Sequence, residues 1–266
     1  MHTEMLAVDA NSIARAAAII RAGGLVAFPT ETVYGLGANA LDAAAVKAIY
    51  AAKGRPADNP LIAHVASRQM ADRLAGFTPL SERLAAAFWP GPLTLVLPKT
   101  ELVPDIVSAG LPTVALRWPS HPAAQALIRA AGLPIAAPSA NLSGRPSPTL
   151  AAHVAEDMAG RIPLILDGGP VTIGLESTVV DARGDLPLLL RPGRVTVEQL
   201  RELCGGCLFP DAKAAERPAA PGMKYRHYAP RGELLLASDY RAAEALRERV
   251  LAERKLTPLL LLPEES

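Results

Sequence analysis

The feature that most limits the folds open to this chain is the exchange of alanine-rich helical repeats with short apolar runs, sustained from the N-terminus through Arg191. Helical spacing of apolar residues runs through SIARAAAIIRAG, DAAAVKAIYAAKG, SERLAAAFW, HPAAQALIRAAG and TLAAHVAEDMAG, most of them ended by glycine. Between them come the strand-sized runs GLVAF, LIAHVA, LTLVLP, TVALRW, PIAAPS, PLILDGG, STVVDA and PLLLRPG. Such alternation predicts an α/β fold, a sheet covered by helices. The strands after Pro163 follow one another through short turns, which implies some antiparallel pairing and hence a mixed sheet.

With 266 residues, half of them hydrophobic, the chain is long enough for one large domain and an appendage. Lys and Arg number 27 against 26 Asp and Glu, a formal charge of +1, so any nucleic-acid contact has to come from a local patch. The opening MHTEMLAVDANS has no basic region followed by an apolar core, and the longest apolar runs are too short to span a bilayer. The expectation is a cytoplasmic protein without membrane contact. The two cysteines form one CGGC, Cys204 to Cys207, at the end of the helical stretch TVEQLRELCGG. A zinc site needs a second pair of ligands, so the favoured reading is a helix end with two partly buried thiols.

The character changes after Cys207. FPDAKAAERPAAPGMKYRHYAPRG has four prolines and no apolar period, and it reads as a linker, although a passive spacer has no use for the aromatic and basic cluster MKYRHY. Beyond it ELLLAS, YRAAEALRERVLAERK and PLLLLP read as strand, helix and strand, a single βαβ unit that looks truncated or unusually short. The boundaries this suggests are 1–207, a linker over 208–232, and 233–266.

Three polar clusters lie at element ends. FPTETVYGLG, Phe28 to Gly37, places two threonines, a glutamate and a tyrosine ahead of two glycines, more than a chain reversal needs. AAKGRPADNPL ends a helix at glycine and brings Lys53, Arg55 and Asn59 together; two cations one residue apart suit an anion, and a helix C-terminus favours cations for its own dipole. APSANLSGRPSPT carries Ser139, Asn141, Ser143, Arg145 and Ser147 at a strand exit, donors for phosphate or ribose or an ordinary Asn/Ser turn. His64, alone in an apolar strand, reads as a satisfied core histidine. No GxxxxGK[ST] and no GxGxxG after a strand is present, so a nucleotide has to bind by another arrangement.

Together FPTETVYGLG, the Lys-x-Arg of KGRP and the Ser-x-Asn of SAN resemble the threonylcarbamoyl-AMP synthases, the YrdC-like family, and PGMKYRHYAP resembles the linker of its long form. The likeness runs in order from roughly residue 10 to residue 230. It implies a twisted open α/β sandwich with a large concave face, followed by the linker and a partial Rossmann-like βαβ unit. It also implies a reaction in which L-threonine, bicarbonate and ATP give threonylcarbamoyl-adenylate and pyrophosphate, for modification of the adenosine beside the tRNA anticodon.

Matched position by position, the resemblance assigns Thr32, His64, Arg117, Ala137 and Ser177 to threonine. It assigns Arg55, Asn59, Thr113, Ser139, Asn141, Ser147, Arg191 and the linker's Tyr228 to ATP, with Lys53 and Arg55 as the catalytic cations. Mg²⁺ is expected to travel with the triphosphate, and tRNA threonylcarbamoyltransferase proteins to take the product. Arg117 has the fork for a carboxylate, while Lys53 and Arg55 would neutralise charge as the carbamate oxygen attacks the α-phosphorus. In the family the linker is thought to lie across the site, where MKYRHY would supply cations and a ring for a base. Two other readings stand beside this one: a carbamoyl-adenylate-forming carbamoyltransferase, and an RNA-binding module with weak affinity carried by a local patch.

Overall fold

Strands covered on both faces read as unbroken apolar runs, and most of this sheet is built from them. The computed structural model describes residues 2–210, 235–254 and 258. They fall into two compact units, Met1–Ala229 and Pro230–Ser266. The first unit runs β1 (Glu4–Ala7), α1 (Ala10–Arg21), β2 (Val26–Phe28), β3 (Gly35–Asn39), α2 (Ala43–Lys53), β4 (Ile62–His64), α3 (Arg68–Asp72), α4 (Pro79–Phe88) and β5 (Leu93–Pro98). It continues with α5 (Asp105–Ser108), β6 (Thr113–Arg117), α6 (Pro122–Ala131), β7 (Ile135–Ala136), α7 (Ala151–Met158), β8 (Leu164–Asp167), β9 (Thr178–Asp181), β10 (Leu188–Arg191) and α8 (Val197–Cys204).

The strands form one ten-stranded sheet in the order β1-β8-β2-β3-β7-β4-β6-β5-β9-β10. β8 is parallel to both β1 and β2, β4 to β6, and β5 to β9; the other neighbours are antiparallel, so the sheet is mixed as expected. It is twisted and concave. Successive side chains of β2 and β8 go to opposite faces: Ala27 and Ile165 join one core cluster, Val26, Phe28, Leu164 and Leu166 the other. On the second face α1 lays down Ile13, Ala16, Ala17 and Ile20 at helical spacing against Leu127 and Ile128 of α6. Alanine on both helices allows their close approach. Asp9, Asp42, Ser67, Thr78 and Thr196 cap the helices they precede.

Two strands escape the sequence pattern. β1 is a short sheet edge whose side chains alternate between partial burial and exposure. β3 is GLGAN, which reads as loop because glycine has low strand propensity. Its glycine is needed for close packing: a Cβ on Gly37 would come to 2.7 Å from both Ile135 Cγ2 and Phe28 Cε1. The glycines of the FPTETVYGLG stretch therefore serve sheet packing. PIAAPS gives only the two-residue β7, and α3 and α5 are short helices outside the periodic segments.

The CGGC segment is what the helix-end reading expects. α8 stops at Gly205 in the left-handed region (φ 77), and Cys204 and Cys207 are free and partly buried, with burial pushing both thiols up. In the second unit the described residues form the helix α9 (Tyr240–Arg254). Of the two strands read into that βαβ unit, Leu235–Ala237 have no regular structure and PLLLLP lies outside the described residues apart from Pro258. The lid reading of the linker, with Tyr225 and Tyr228, also lies outside them. No described helix is long and apolar enough to cross a membrane.

Candidate active site

Parallel pairing of β4 with β6 sets His64 opposite Arg117, and antiparallel pairing of β5 with β6 sets Thr94 opposite the same residue. Directly opposed residues point to one face of a sheet, so these three strands present a polar row in an otherwise apolar surface. Ser177, just before β9, adds to it through a 2.7 Å contact between its hydroxyl and that of Thr94. The row floors an open cleft enclosing about 560 Å³ of empty space, part of it open to solvent. Thr32, Arg55, His64, Arg117, Ala137, Ser139, Glu176, Ser177 and Arg191 all line it.

Arg117 is 4% exposed and tightly held. Its Nη1 donates to Thr32 Oγ1 at 2.8 Å, its Nε reaches Gly91 O at 3.4 Å, and its Nη2 lies 2.8 Å from Glu31 Oε1. The Glu31 contact is a close buried ion pair. Burial alone would raise Glu31; the Arg117 guanidinium outweighs it and holds the carboxyl below its ordinary value. Nε and Nη1 are thus committed to Gly91 and Thr32 while Nη2 faces Glu31, which fixes the plane of a group whose shape suits a carboxylate.

The loop ahead of β3 fixes this geometry. Thr30 Oγ1 donates to Val33 O at 2.6 Å and accepts from the backbone N–H groups of Thr32 and Val33. Its one proton and both lone pairs are thus committed within the loop, and Thr32 Oγ1 packs 3.0 Å from it. Thr32 Oγ1 accepts from Arg117 and lines the cleft. The backbone carbonyls of Glu31 and Thr32 accept from Ile173 and Gly174 at 2.9 and 3.0 Å, and Tyr34, fully buried, donates from its hydroxyl to Gly169 O at 2.7 Å. Burial raises the Tyr34 phenol to about 12.

His64 is not the satisfied core histidine that its strand setting suggests. It is 3% exposed and packs edge-on against Phe28, yet its Nδ1 has no partner and it faces the cleft. Burial, reinforced by the Arg117 charge, pushes it down to about 3, so the ring is neutral near neutrality.

At the other end of the cleft, Arg191 donates from Nε and Nη2 to Ser177 O at 3.1 and 2.9 Å and pairs with Glu176 at 2.6 Å. Ser147 donates to the other Glu176 oxygen at 3.0 Å, one layer behind the cleft wall. Lys53 is also not on the wall. Its ammonium is buried and hydrogen-bonded to the carbonyls of Ser139 and Asn141, and Lys53 O accepts from Ser143 N–H at 3.0 Å. α2 ends at Gly54 in the left-handed region (φ 61), which turns the chain so that Lys53 points inward while Arg55 reaches the cleft. Burial, with the Arg55 charge adding, lowers the amine to about 7.

Asn141 bonds from its amide to Leu142 O and Arg145 O, shaping the same loop. Asn59 is buried behind Pro60 with neither side-chain polar atom partnered, and Thr113, at the start of β6, is buried off the wall. Thr32, His64, Arg117, Ala137, Ser177, Arg55, Ser139 and Arg191 are therefore brought together on one cleft; Lys53, Asn59, Thr113, Asn141 and Ser147 stand outside its lining. Thr30, Glu31 and Glu176 carry no role in the sequence reading. The signal for Glu31 was its place inside the FPTETVYGLG stretch, but its partner lies 86 positions away.

A family model described as Telomere recombination matches residues 18–193, and one described as the Threonylcarbamoyl-AMP synthase C-terminal domain matches residues 195–262. The chain is 56% identical over 230 residues to the threonylcarbamoyl-AMP synthase of Pyrococcus abyssi, covering 85% of this chain and 68% of that protein. Against the Bacillus subtilis threonylcarbamoyl-AMP synthase the figures are 54% over 238 residues, 88% and 69%. The crystal structure of P. abyssi Sua5 complexed with L-threonine superposes with a TM-score of 0.89 at 49% identity, over 95% of this chain and 77% of that one.

Proposed function

The chain belongs to the threonylcarbamoyl-AMP synthase family, a family of nucleotidyltransferases acting in tRNA processing, and from that premise we infer how its cleft turns L-threonine, bicarbonate and ATP into threonylcarbamoyl-adenylate and pyrophosphate. The observation that carries the residue assignment is Arg117, buried on the cleft wall with its guanidinium held by Gly91 O, Thr32 Oγ1 and Glu31. Its planar fork takes the threonine carboxylate. The Thr32 hydroxyl takes the amino group, and Ser177 and neutral His64 bound the side chain.

The bound ammonium gives up one proton to solvent, and the freed amino nitrogen forms the N–C bond of a carbamate with the carbon of bicarbonate, which loses water. A carbamate oxygen attacks the α-phosphorus of ATP and pyrophosphate departs with the electrons of the broken P–O bond. No side-chain nucleophile takes part. Arg55, Arg191 and Ser139 line the end of the cleft where the triphosphate lies, and their charge and hydrogen bonds meet the negative charge that shifts towards the leaving group. Lys53 acts from behind, holding the Ser139–Ser143 loop against the end of α2, with Asn141 and Ser147 in the same supporting layer.

Among the described residues no group of His, Cys, Asp or Glu could hold a metal ion, and the one carboxylate on the wall, Glu176, is paired with Arg191. In this reading Mg²⁺ enters bound to the triphosphate of the ATP substrate. The product is a mixed anhydride that reacts with amines and water, which fits direct consumption by enzymes that transfer the threonylcarbamoyl group to adenosine in tRNA. Incubation with ATP, L-threonine and bicarbonate tests the reading: pyrophosphate and threonylcarbamoyl-adenylate should both form by mass spectrometry, and omission of any one substrate should abolish both. Pyrophosphate released without threonine would overturn it.

A further inference from the structure

Glu31 is 5% exposed, next to two cleft-lining threonines yet not itself on the cleft wall, and its carboxylate lies 2.8 Å from Arg117. A buried carboxylate is costly unless an opposite charge faces it, and here the Arg117 guanidinium does. The Glu31 backbone is pinned from outside the cleft by Ile173 N–H and the Thr172 hydroxyl, so the side chain is directed at the guanidinium by a fixed main chain. Two further titratable groups feel Glu31: His64 and His121, both kept down by burial and so neutral at neutral pH. The Glu31 and Arg117 charges therefore cancel, and the floor of the cleft is close to neutral before any ligand enters.

We propose that Glu31 is a positioning residue that turns Arg117 and cancels its charge, and thereby makes the site select a zwitterionic α-amino acid over a plain carboxylate. The inference rests on the assignment of Arg117 to the amino-acid carboxylate. A lone buried guanidinium would attract any carboxylate. Paired with Glu31 it offers geometry without surplus charge, so an anion lacking the ammonium gains less, while the ammonium of an amino acid meets both the Thr32 hydroxyl and the field of Glu31.

The experiment measures affinities by calorimetry for L-threonine and for 3-hydroxybutyrate, its analogue without the amino group, in the unaltered full chain and in Glu31→Gln and Glu31→Asp. The unaltered protein should prefer L-threonine by at least about 100-fold, and Glu31→Gln should narrow that ratio by about tenfold or more, mainly by weakening threonine. Glu31→Asp, which keeps the charge, should restore most of the ratio. A merely structural role would lower both affinities and thermal stability together and leave the ratio unchanged; that result overturns the proposal. So does near-equal binding of the two ligands by the unaltered protein, a measurement that does not depend on any variant folding. Failure of the unaltered protein to bind L-threonine would instead strike the assignment of Arg117 on which the inference rests.

Discussion

At the Arg117 end of the cleft His64 and Arg117 sit on paired strands, Thr32 on a loop bonded to itself and Ser177 just before β9, and all four are buried. At the other end Arg55, Ser139 and Glu176 stand on loops, Arg191 at the end of β10, and all four are half-buried. The first end is held in place by bonds made without a ligand, and it suits a small substrate of fixed shape. The second end gathers charge on loops and a strand end that are bonded as well, Arg191 to Ser177 O and Ser139 O to Lys53, and such charge suits a triphosphate. Under the proposed assignment the two ends divide the work by burial, selection at the buried end and bond change at the half-buried one.

The hardest test of that division is Arg117→Ala. It removes the carboxylate fork and strands a buried Glu31, so L-threonine affinity should fall by about 30-fold or more, about 2–5 kcal/mol, while ATP affinity changes little. Arg117→Lys, which keeps a charge beside Glu31, should fold normally and still lose most of the threonine affinity, because an ammonium has no planar fork. Equal losses for both ligands by calorimetry would erase the distinction between the two ends.

Arg55→Ala makes the complementary test. Turnover at saturating substrates should drop by about 10²–10³-fold, as when one electrostatic contact to a transition state is removed, with threonine affinity unchanged. Unaltered turnover would leave Arg55 as a helix-end charge serving only the dipole of α2.

Lys53 sharpens the comparison from behind the wall. Its amine sits at about 7 in the folded protein against an ordinary 10.5. The unfolded chain therefore binds more protons across that window, and stability should rise with pH from about 7 towards 10 at about 1 kcal/mol per pH unit. Urea denaturation of the unaltered protein at several pH values should show that slope, and Lys53→Met should lack it. Parallel slopes for the two proteins would mean that the ammonium is not buried as described.

The smallest effect is at His64. Because burial holds it near 3, the ring stays neutral above about pH 5, and threonine affinity should show no inflection near the ordinary histidine value. An inflection around pH 6 to 7 that His64→Gln abolishes would show that the Arg117 end titrates and is less closed than its burial indicates.

The sequence by itself determined the α/β class and the mixed sheet, because helix spacing and two-sided burial leave a periodic record along the chain. It also carried the motifs that mark the family, and the resemblance they carry assigned Thr32, His64, Arg117, Ser139, Ser177 and Arg191 to substrates; the structure brings these six to one cleft. β3 was hidden because its glycines answer to Phe28 and Ile135, atoms that no local pattern contains. Lys53 and Arg55 looked alike in sequence, two cations one residue apart, and only the turn at Gly54 and the carbonyls of Ser139 and Asn141 separate the buried clamp from the cleft residue. Glu31 is the same lesson in charge: whether a carboxylate repels a substrate or balances an arginine depends on the distance to a partner 86 positions away, which the loop ahead of β3 sets and sequence order does not record.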